Sequence, residues 1–231
     1  MQFLVLGSLE VVGSDGPLEL PGAKERAVLA YLLAHLGRSV SPDEIIDAVW
    51  GERPPASAAR SLHARVSRLR RLLEPERTAA SDSVIVREGS GYRLAVAEDD
   101  VDAEQFARLV TEARSLEPRE SLANAEKALR LLRGEPYADF LYLDFAQSEV
   151  RRLKELELQA CELRAAALLH LGRHDEALPD LERLVEQNPL REPVVRLLML
   201  ALYRSGRHAD ALAVYRGLYE RLRELGLEPE E

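Results

Sequence analysis

The spacing of apolar positions changes along the chain, and each change marks a new element. Residues 2–13, QFLVLGSLEVVG, form a run rich in Val and Leu; SDGP supplies turn chemistry, and a second short apolar stretch, LEL, comes after it. This predicts a small antiparallel start. In GAKERAVLAYLLAHLG the apolar positions Val28, Leu29, Leu32, Leu33 and Leu36 fall on one helical stripe, with Gly37 placed to end it. SPDEIIDAVWG opens with Ser41 as N-cap, Pro42 at the first helical position and Glu44 three residues on, a capping box with the favoured proline. Gly51 and the ERPP stretch close that helix.

The third helix, SAARSLHARVSRLRRLL, is the most informative. At 100° per residue, Leu62, Val66, Leu69 and Leu73 lie within about 60° of one another, the spacing of a buried face. Ser57, Arg60, Ala64, Ser67, Arg68 and Arg71 cluster on the opposite side, with His63 and Arg70 on one flank and Arg65 on the other. A polar loop, EPERTAASDS, leads to VIVREGSGYRLAV, two apolar segments around a glycine-containing turn, which reads as a hairpin. The order is strands, three helices, hairpin.

From Val101 onward the pattern is helical almost throughout. DAEQFARLVTEARSL and SLANAEKALRLLRG make a helix pair, the loop EPYADFLYLDF intervenes, and a long helix is predicted from about Ala146 to Leu171. Then LGRHDEALPDLERL and SGRHADALAVYRGL match at Gly172/Gly206, Arg173/Arg207, His174/His208, Ala177/Ala211 and Leu178/Leu212, an offset of 34 residues. That is the tetratricopeptide period, in which Gly ends one helix and small Ala lets the next pack closely.

Charge sharpens the division. The 231-residue chain has a net charge of −9, yet residues 1–97 hold 12 basic and 12 acidic residues, so the excess acid belongs wholly to residues 98–231. Against that background the stretch 57–71 carries five arginines and no acid, and no acid occurs between Glu52 and Glu74. Domains of roughly 100 to 150 residues make two domains the natural expectation. Apolar runs stop far short of the roughly 18 residues of a membrane span, and the first residues lack a basic signal-peptide region, so a cytoplasmic protein without membrane association is expected.

Chemistry of other kinds finds little support. The single cysteine, Cys161, allows no internal disulfide and no cysteine-cluster metal site, and its helical setting suits a buried thiol. His35, His63, His170, His174 and His208 show no metal-ligand spacing on a common face, and no GxxxxGK[ST] phosphate loop occurs. No nucleophile and base stand in a recognisable constellation. The chain is therefore expected to be neither an enzyme nor a holder of a metal or cofactor.

The arginine helix has two readings. It is either a solvated face of an amphipathic helix or a reader of the DNA major groove, where Arg pairs with guanine edges and with phosphates. Helix order, the acid-free stretch and the glycine hairpin together favour DNA, with Arg87 of the hairpin reaching the adjacent minor groove.

These residues carry a family resemblance. SLHARVSRLRRLL followed by GSGYRL, with VLAYLLAHLGRSVSPDEIIDAVWG ahead of it, resembles the OmpR-type winged helix of the Streptomyces antibiotic regulatory protein (SARP) family. DAEQFARLV, LRGEPYADF and LGLEP are similar to that family's bacterial transcriptional activator domain. The resemblance implies a mainly α protein: an α+β winged helix-turn-helix at 1–97, then an all-α tetratricopeptide-like domain at 98–231. It also implies a transcriptional activator of secondary-metabolite genes that binds direct repeats in double-stranded DNA near a promoter's −35 region as paired protomers and recruits RNA polymerase through its sigma factor. Carried over by position, Arg65 and Arg68 meet base edges or adjacent phosphates, while Arg60, Ser67, Arg70 and Arg71 contact the backbone. Arg87 is the wing-tip residue, opposed by its neighbour Glu88, and Tyr92 a phosphate contact. Lys24 and Arg26 suit a phosphate or plain solvent equally, and Trp50 suits the core at its helix end. Two other functions fit the same chain: a repeat-built scaffold whose acid-rich groove holds a basic protein partner such as a polymerase subunit while its winged helix makes protein contacts, and a regulator whose groove binds a small ligand that alters DNA affinity.

Overall fold

The computed structural model describes residues 1–51, 53–75 and 83–227; the expected polar loop falls mostly outside them, at 76–82. Two compact units result: Met1–Ala107 with Leu131–Glu155, and Arg108–Arg130 with Leu156–Glu231.

The first unit opens with an antiparallel sheet of β1 (Gln2–Leu4), β2 (Glu10–Gly13) and β3 (Gly16–Pro17), in which Phe3 lies opposite Val11 and Gly13 opposite Gly16. Strand β3 falls on Gly16–Pro17, within the stretch expected to turn, and the LEL residues 18–20 that follow are not strand. Pro17 brings no N–H to the ladder, and one further bond from Leu18 N–H to the Val11 carbonyl, 2.8 Å, ends the pairing.

Three helices come next: α1 (Ala23–Ala34), α2 (Pro42–Trp50) and α3 (Ala58–Leu73), each packed on the other two. The capping box of α2 forms as its sequence requires: Glu44 N–H donates to Ser41 Oγ at 3.2 Å and Ser41 N–H to Glu44 Oε2 at 2.8 Å. Leu62, Val66, Leu69 and Leu73 of α3 are buried together with Val28, Leu29, Leu32 and Leu33 of α1 and Ile45 and Val49 of α2. Burying this apolar set removes the spacing's ambiguity: α3 has one inward and one outward face.

The hairpin is β4 (Ile85–Glu88) and β5 (Gly91–Leu94), joined by the two-residue loop Gly89–Ser90 with φ +59° at Gly89. A side chain in the first position of so tight a loop would be strained, which is why glycine stands there. Its outer edge pairs with Val40, through Val40 N–H to Tyr92 C=O at 2.9 Å and Tyr92 N–H to Val40 C=O at 2.8 Å.

In space the chain groups differently from a linear split at residue 97. Helix α4 (Asp102–Ala113) begins in the first unit, where the Asp102 carboxylate accepts Val5 N–H at 2.8 Å and Leu6 N–H at 3.0 Å. Residues 131–155 belong there as well, since Arg133 N–H reaches the Leu6 carbonyl and Tyr137 N–H the Val5 carbonyl, each at 2.8 Å. These bonds satisfy backbone groups of the residues after β1 that its strand partner leaves open.

The second unit contains α5 (Pro118–Leu129), most of α6 (Asp144–His170), and α7 (His174–Gln187), α8 (Glu192–Arg204) and α9 (His208–Glu224). The 34-residue repeat takes physical form here. Gly172 and Gly206, at φ +75° and +77°, stand after α6 and α8, in a left-handed conformation that lets the chain turn back. Ala177 and Ala211 are buried on the next helices, and each turn is tied by an arginine, Arg173 to Glu176 at 2.6 Å and Arg207 to Asp210 at 2.7 Å. Leu168, Leu181, Leu198 and Leu202 fill the space between.

Candidate nucleic-acid interface

The outward face of α3 is a second stripe, antipodal to the core stripe. Arg60, Ala64, Ser67 and Arg71 repeat the i, i+4, i+7, i+11 spacing, and all four are exposed. Arg60 and Arg71 have no hydrogen-bond or ion-pair partner among the described residues. At 1.5 Å per residue they stand about 16 Å apart along the helix, with only the small side chains of Ala64 and Ser67 between them. The nearest acid in sequence, Glu74, is engaged with the start of the hairpin, its Oε1 accepting Val84 N–H at 2.6 Å and Ser83 Oγ–H at 2.7 Å.

One flank of the stripe is held by a residue outside the expected set of contacts. Glu25, in the first turn of α1 and 2% exposed, places one carboxylate oxygen 2.7 Å from Arg65 Nη1 and the other 2.9 Å from Arg68 Nη1. Burial pushes the Glu25 carboxyl up, but the hydrogen bonds from Arg68 and its own backbone, with the charge and hydrogen bond of Arg65, outweigh it and hold the group below its ordinary value. It is therefore ionised at neutral pH. Arg68 remains 56% exposed and Arg65 only 25%. A signal for Glu25 was present: it lies i, i+3, i+4, i+7 with Val28, Leu29 and Leu32, an acid on an apolar stripe.

The other expected contacts are distributed unevenly. Arg65 also stands 5.7 Å from the centre of the half-buried Trp50 ring, and Lys24 lies 5.5 Å from the same ring while its ammonium donates to the Val49 carbonyl. Arg26 is ion-paired with Asp139 and donates to the Leu9 carbonyl at 3.3 Å. Arg70 Nε donates to the Ile85 carbonyl at 2.8 Å, tying α3 to the hairpin. Tyr92 is buried, its hydroxyl hydrogen-bonded to His63 Nδ1 at 3.1 Å. At the hairpin tip the Glu88 carboxylate is taken by Arg93 Nε at 2.9 Å, and Arg87 is exposed with no partner among the described residues.

The site thus brings Arg60, Ser67, Arg68 and Arg71 onto one open face. It turns Lys24, Arg65, Arg70 and Tyr92 toward intramolecular partners. The arrangement suits a polyanion with a groove wide enough for a helix: two unpaired guanidinium groups at the ends of a helix face, small residues at its closest approach, and no competing carboxylate among the described residues of α3.

Away from this face, burial pushes the Cys161 thiol up to about 11, which makes it unreactive at neutral pH. Among the described residues no group of His, Cys, Asp and Glu is arranged to hold a metal ion, and no helix is long and apolar enough to cross a membrane.

A winged helix with an arginine-bearing third helix, joined to helical repeats, defines the class of transcriptional regulators. Residues 17–94 match the family described as "Transcriptional regulatory protein, C terminal" and residues 101–231 the "Bacterial transcriptional activator domain". Among curated proteins, the regulatory protein AfsR of Streptomyces coelicolor is 38% identical over 99% of this chain, which spans 23% of AfsR. The transcriptional regulatory protein MoaR1 of Mycobacterium tuberculosis is 34% identical, with 99% of this chain and 75% of MoaR1 covered. The solved structure of Mycobacterium tuberculosis EmbR in complex with a low affinity phosphopeptide superposes with a TM-score of 0.90 at 32% identity, covering 99% of this chain and 62% of EmbR. The chain belongs to the SARP family of transcriptional regulators.

Proposed function

We propose that the protein is a sequence-specific DNA-binding transcriptional activator in which α3 lies in the major groove of double-stranded DNA. The observation that carries this reading is the outward stripe Arg60–Ala64–Ser67–Arg71, unpaired at both ends, beside the Arg68 that Glu25 holds in place. Ala64 and Ser67 allow the helix to settle onto the groove floor, and Arg60 and Arg71 meet the phosphates on either side. Arg68, oriented by Glu25, is the base-reading arginine. Arg65, Arg70 and Tyr92 act as positioning residues, and Arg87 meets the backbone or minor groove beside the wing.

In the same reading two protomers occupy adjacent direct repeats near a −35 region, and the assembled surface recruits RNA polymerase through its sigma factor. The role is binding in the cytoplasm, without catalysis. The winged helix at 1–97 supplies recognition and the helical domain at 98–231 supplies the contacts between proteins. Secondary-metabolite genes are the expected targets, in keeping with the similarity to AfsR and RedD of Streptomyces coelicolor.

Paired alanine variants test the assignment. Arg68→Ala is expected to cost about 1 to 3 kcal/mol on a preferred duplex and to relax base preference, while Arg71→Ala weakens binding uniformly across sequences and lowers the salt slope by about one. Equal losses on preferred and scrambled duplexes for Arg68→Ala would remove it from the base-reading role.

A further inference from the structure

The second unit carries a groove whose chemistry runs against the acidity of its sequence. Helices α6 and α8 each present a face at i, i+3, i+4, i+7, Gln159, Glu162, Leu163 and Ala166 on one and Pro193, Arg196, Leu197 and Leu200 on the other, around an open space of about 550 Å³. The two faces are patterned alike. On each helix the apolar pair, Leu163 and Ala166 or Leu197 and Leu200, follows the residues Gln159 and Glu162 or Pro193 and Arg196, so the lining has an apolar half and a polar half.

Three arginines stand in that polar half, although residues 98–231 hold 19 basic and 28 acidic residues. Two are anchored to α6: Arg114 donates to Gln159 Oε1, and Arg191 Nε lies 2.7 Å from Glu162 Oε1. Arg196 is exposed and has no hydrogen-bond or ion-pair partner among the described residues. Among the described residues Glu162 is the one acid in the lining, and it is already paired with Arg191. The groove is therefore positive in one half, apolar in the other and open along its length. An enclosed small-molecule site would bury most of its ligand, which this one does not. Four residues of an extended chain, about 13 Å, are enough to run past the eight-residue helix face, about 11 Å long.

We infer that the groove between α6 and α8 is a docking site for an acidic peptide segment that carries an apolar anchor, its carboxylates meeting Arg196 and Arg114 and its anchor seated on Leu163, Leu197 and Leu200. Guanidinium groups bind carboxylates in a planar, bidentate manner, and the adjacent apolar floor selects peptides in which acid and apolar side chain are neighbours. A basic partner, which the acid-rich sequence of the repeats suggests, is disfavoured by the same charges.

A displayed library of random dodecapeptides, panned on the full chain with counter-selection on Arg196→Glu, tests this without DNA present. Enriched peptides should carry Asp or Glu within a few residues of Leu, Ile or Phe. In fluorescence anisotropy a synthetic winner should bind Arg196→Glu and Leu200→Asp about tenfold more weakly than the unaltered chain, and its Asn/Gln counterpart should lose a similar factor. Arg183→Glu, on α7 outside the groove, should change binding less than about twofold, and circular dichroism melting should show all three variants folded. Basic or neutral winners, no enrichment, or equal binding to Arg196→Glu would overturn the proposal. So would displacement of the winner by decanoate at comparable concentration, which would give the groove to a small amphipathic acid.

Discussion

Glu25 is the residue whose replacement separates a structural ion pair from a decorative one. Glu25→Gln keeps the side-chain volume, so no cavity confuses the result, and removes the charge that two guanidinium groups share. A hydrogen bond to a charged group is worth about 1.5 to 3 kcal/mol net when sheltered, and the contact with the 25%-exposed Arg65 qualifies at the lower end. Arg68 is 56% exposed, and solvent reduces its share to about 1 kcal/mol or less. The expected loss is about 1.5 to 2.5 kcal/mol. The only tryptophan, Trp50, sits beside Arg65 and Lys24, so its fluorescence in a urea titration reports on this unit specifically. The folded-state carboxyl is held below its ordinary value, so its contribution is complete above that value and fades as the pH falls through the lowered one. The gap between wild type and Glu25→Gln should accordingly be full at neutral pH and close in acid. Stability within about 0.5 kcal/mol of wild type at neutral pH, or a gap that does not close in acid, would refute the reasoning. Because Arg68 loses its support, the variant should also discriminate less between preferred and scrambled duplexes.

Other positions give independent checks. A Cβ on Gly91 would stand 2.6 Å from the Val40 carbonyl oxygen, so Gly91→Ala should push the hairpin off its Val40 edge and lower the urea midpoint by the equivalent of about 1 to 3 kcal/mol, with wing-dependent DNA affinity falling in parallel. Asp102→Ala leaves Val5 N–H and Leu6 N–H without their acceptor, at about 1 to 3 kcal/mol for each group that water cannot reach, measured by the same titration. Burial raises the Asp102 carboxyl against its hydrogen bonds, so the folded state takes up that proton first, and Asp102→Asn should lessen the stability gained as the pH falls through the raised value toward the ordinary one. With its thiol near 11, Cys161 should react with iodoacetamide at neutral pH far more slowly than an unfolded control, as followed by mass spectrometry.

What could be read along the chain was what is local to it. The capping box Ser41–Pro42–Glu44 closes within four residues, and the Leu62–Val66–Leu69–Leu73 stripe settles which side of α3 faces in. The 34-residue offset announces Gly172 and Gly206 because each turn is built from its own neighbours. What was missed depends on pairings across long separations. Nothing beside Arg65 and Arg68 in sequence shows that Glu25, some forty residues earlier, shares them, and nothing beside Tyr92 places its hydroxyl on His63 rather than on a phosphate. Likewise the bonds that carry residues 131–155 into the first unit run from Arg133 and Tyr137 to Leu6 and Val5. The misplaced charge was itself a clue in two cases. Glu25 and Asp102 both lie on apolar helical stripes, where an ionised group is stable only if hydrogen-bond donors meet it.

Selection from a random duplex library by the full chain at moderate salt, followed by titration of the enriched sequence against a scrambled control, tests DNA reading by α3 most directly. DNA reading by α3 predicts a motif repeated in the same orientation at about 10 to 11 base pairs, whose enrichment is lost with Arg68→Ala and whose binding weakens steeply with salt. Absence of any enriched motif, or binding that does not distinguish the enriched duplex from the scrambled one, would contradict it.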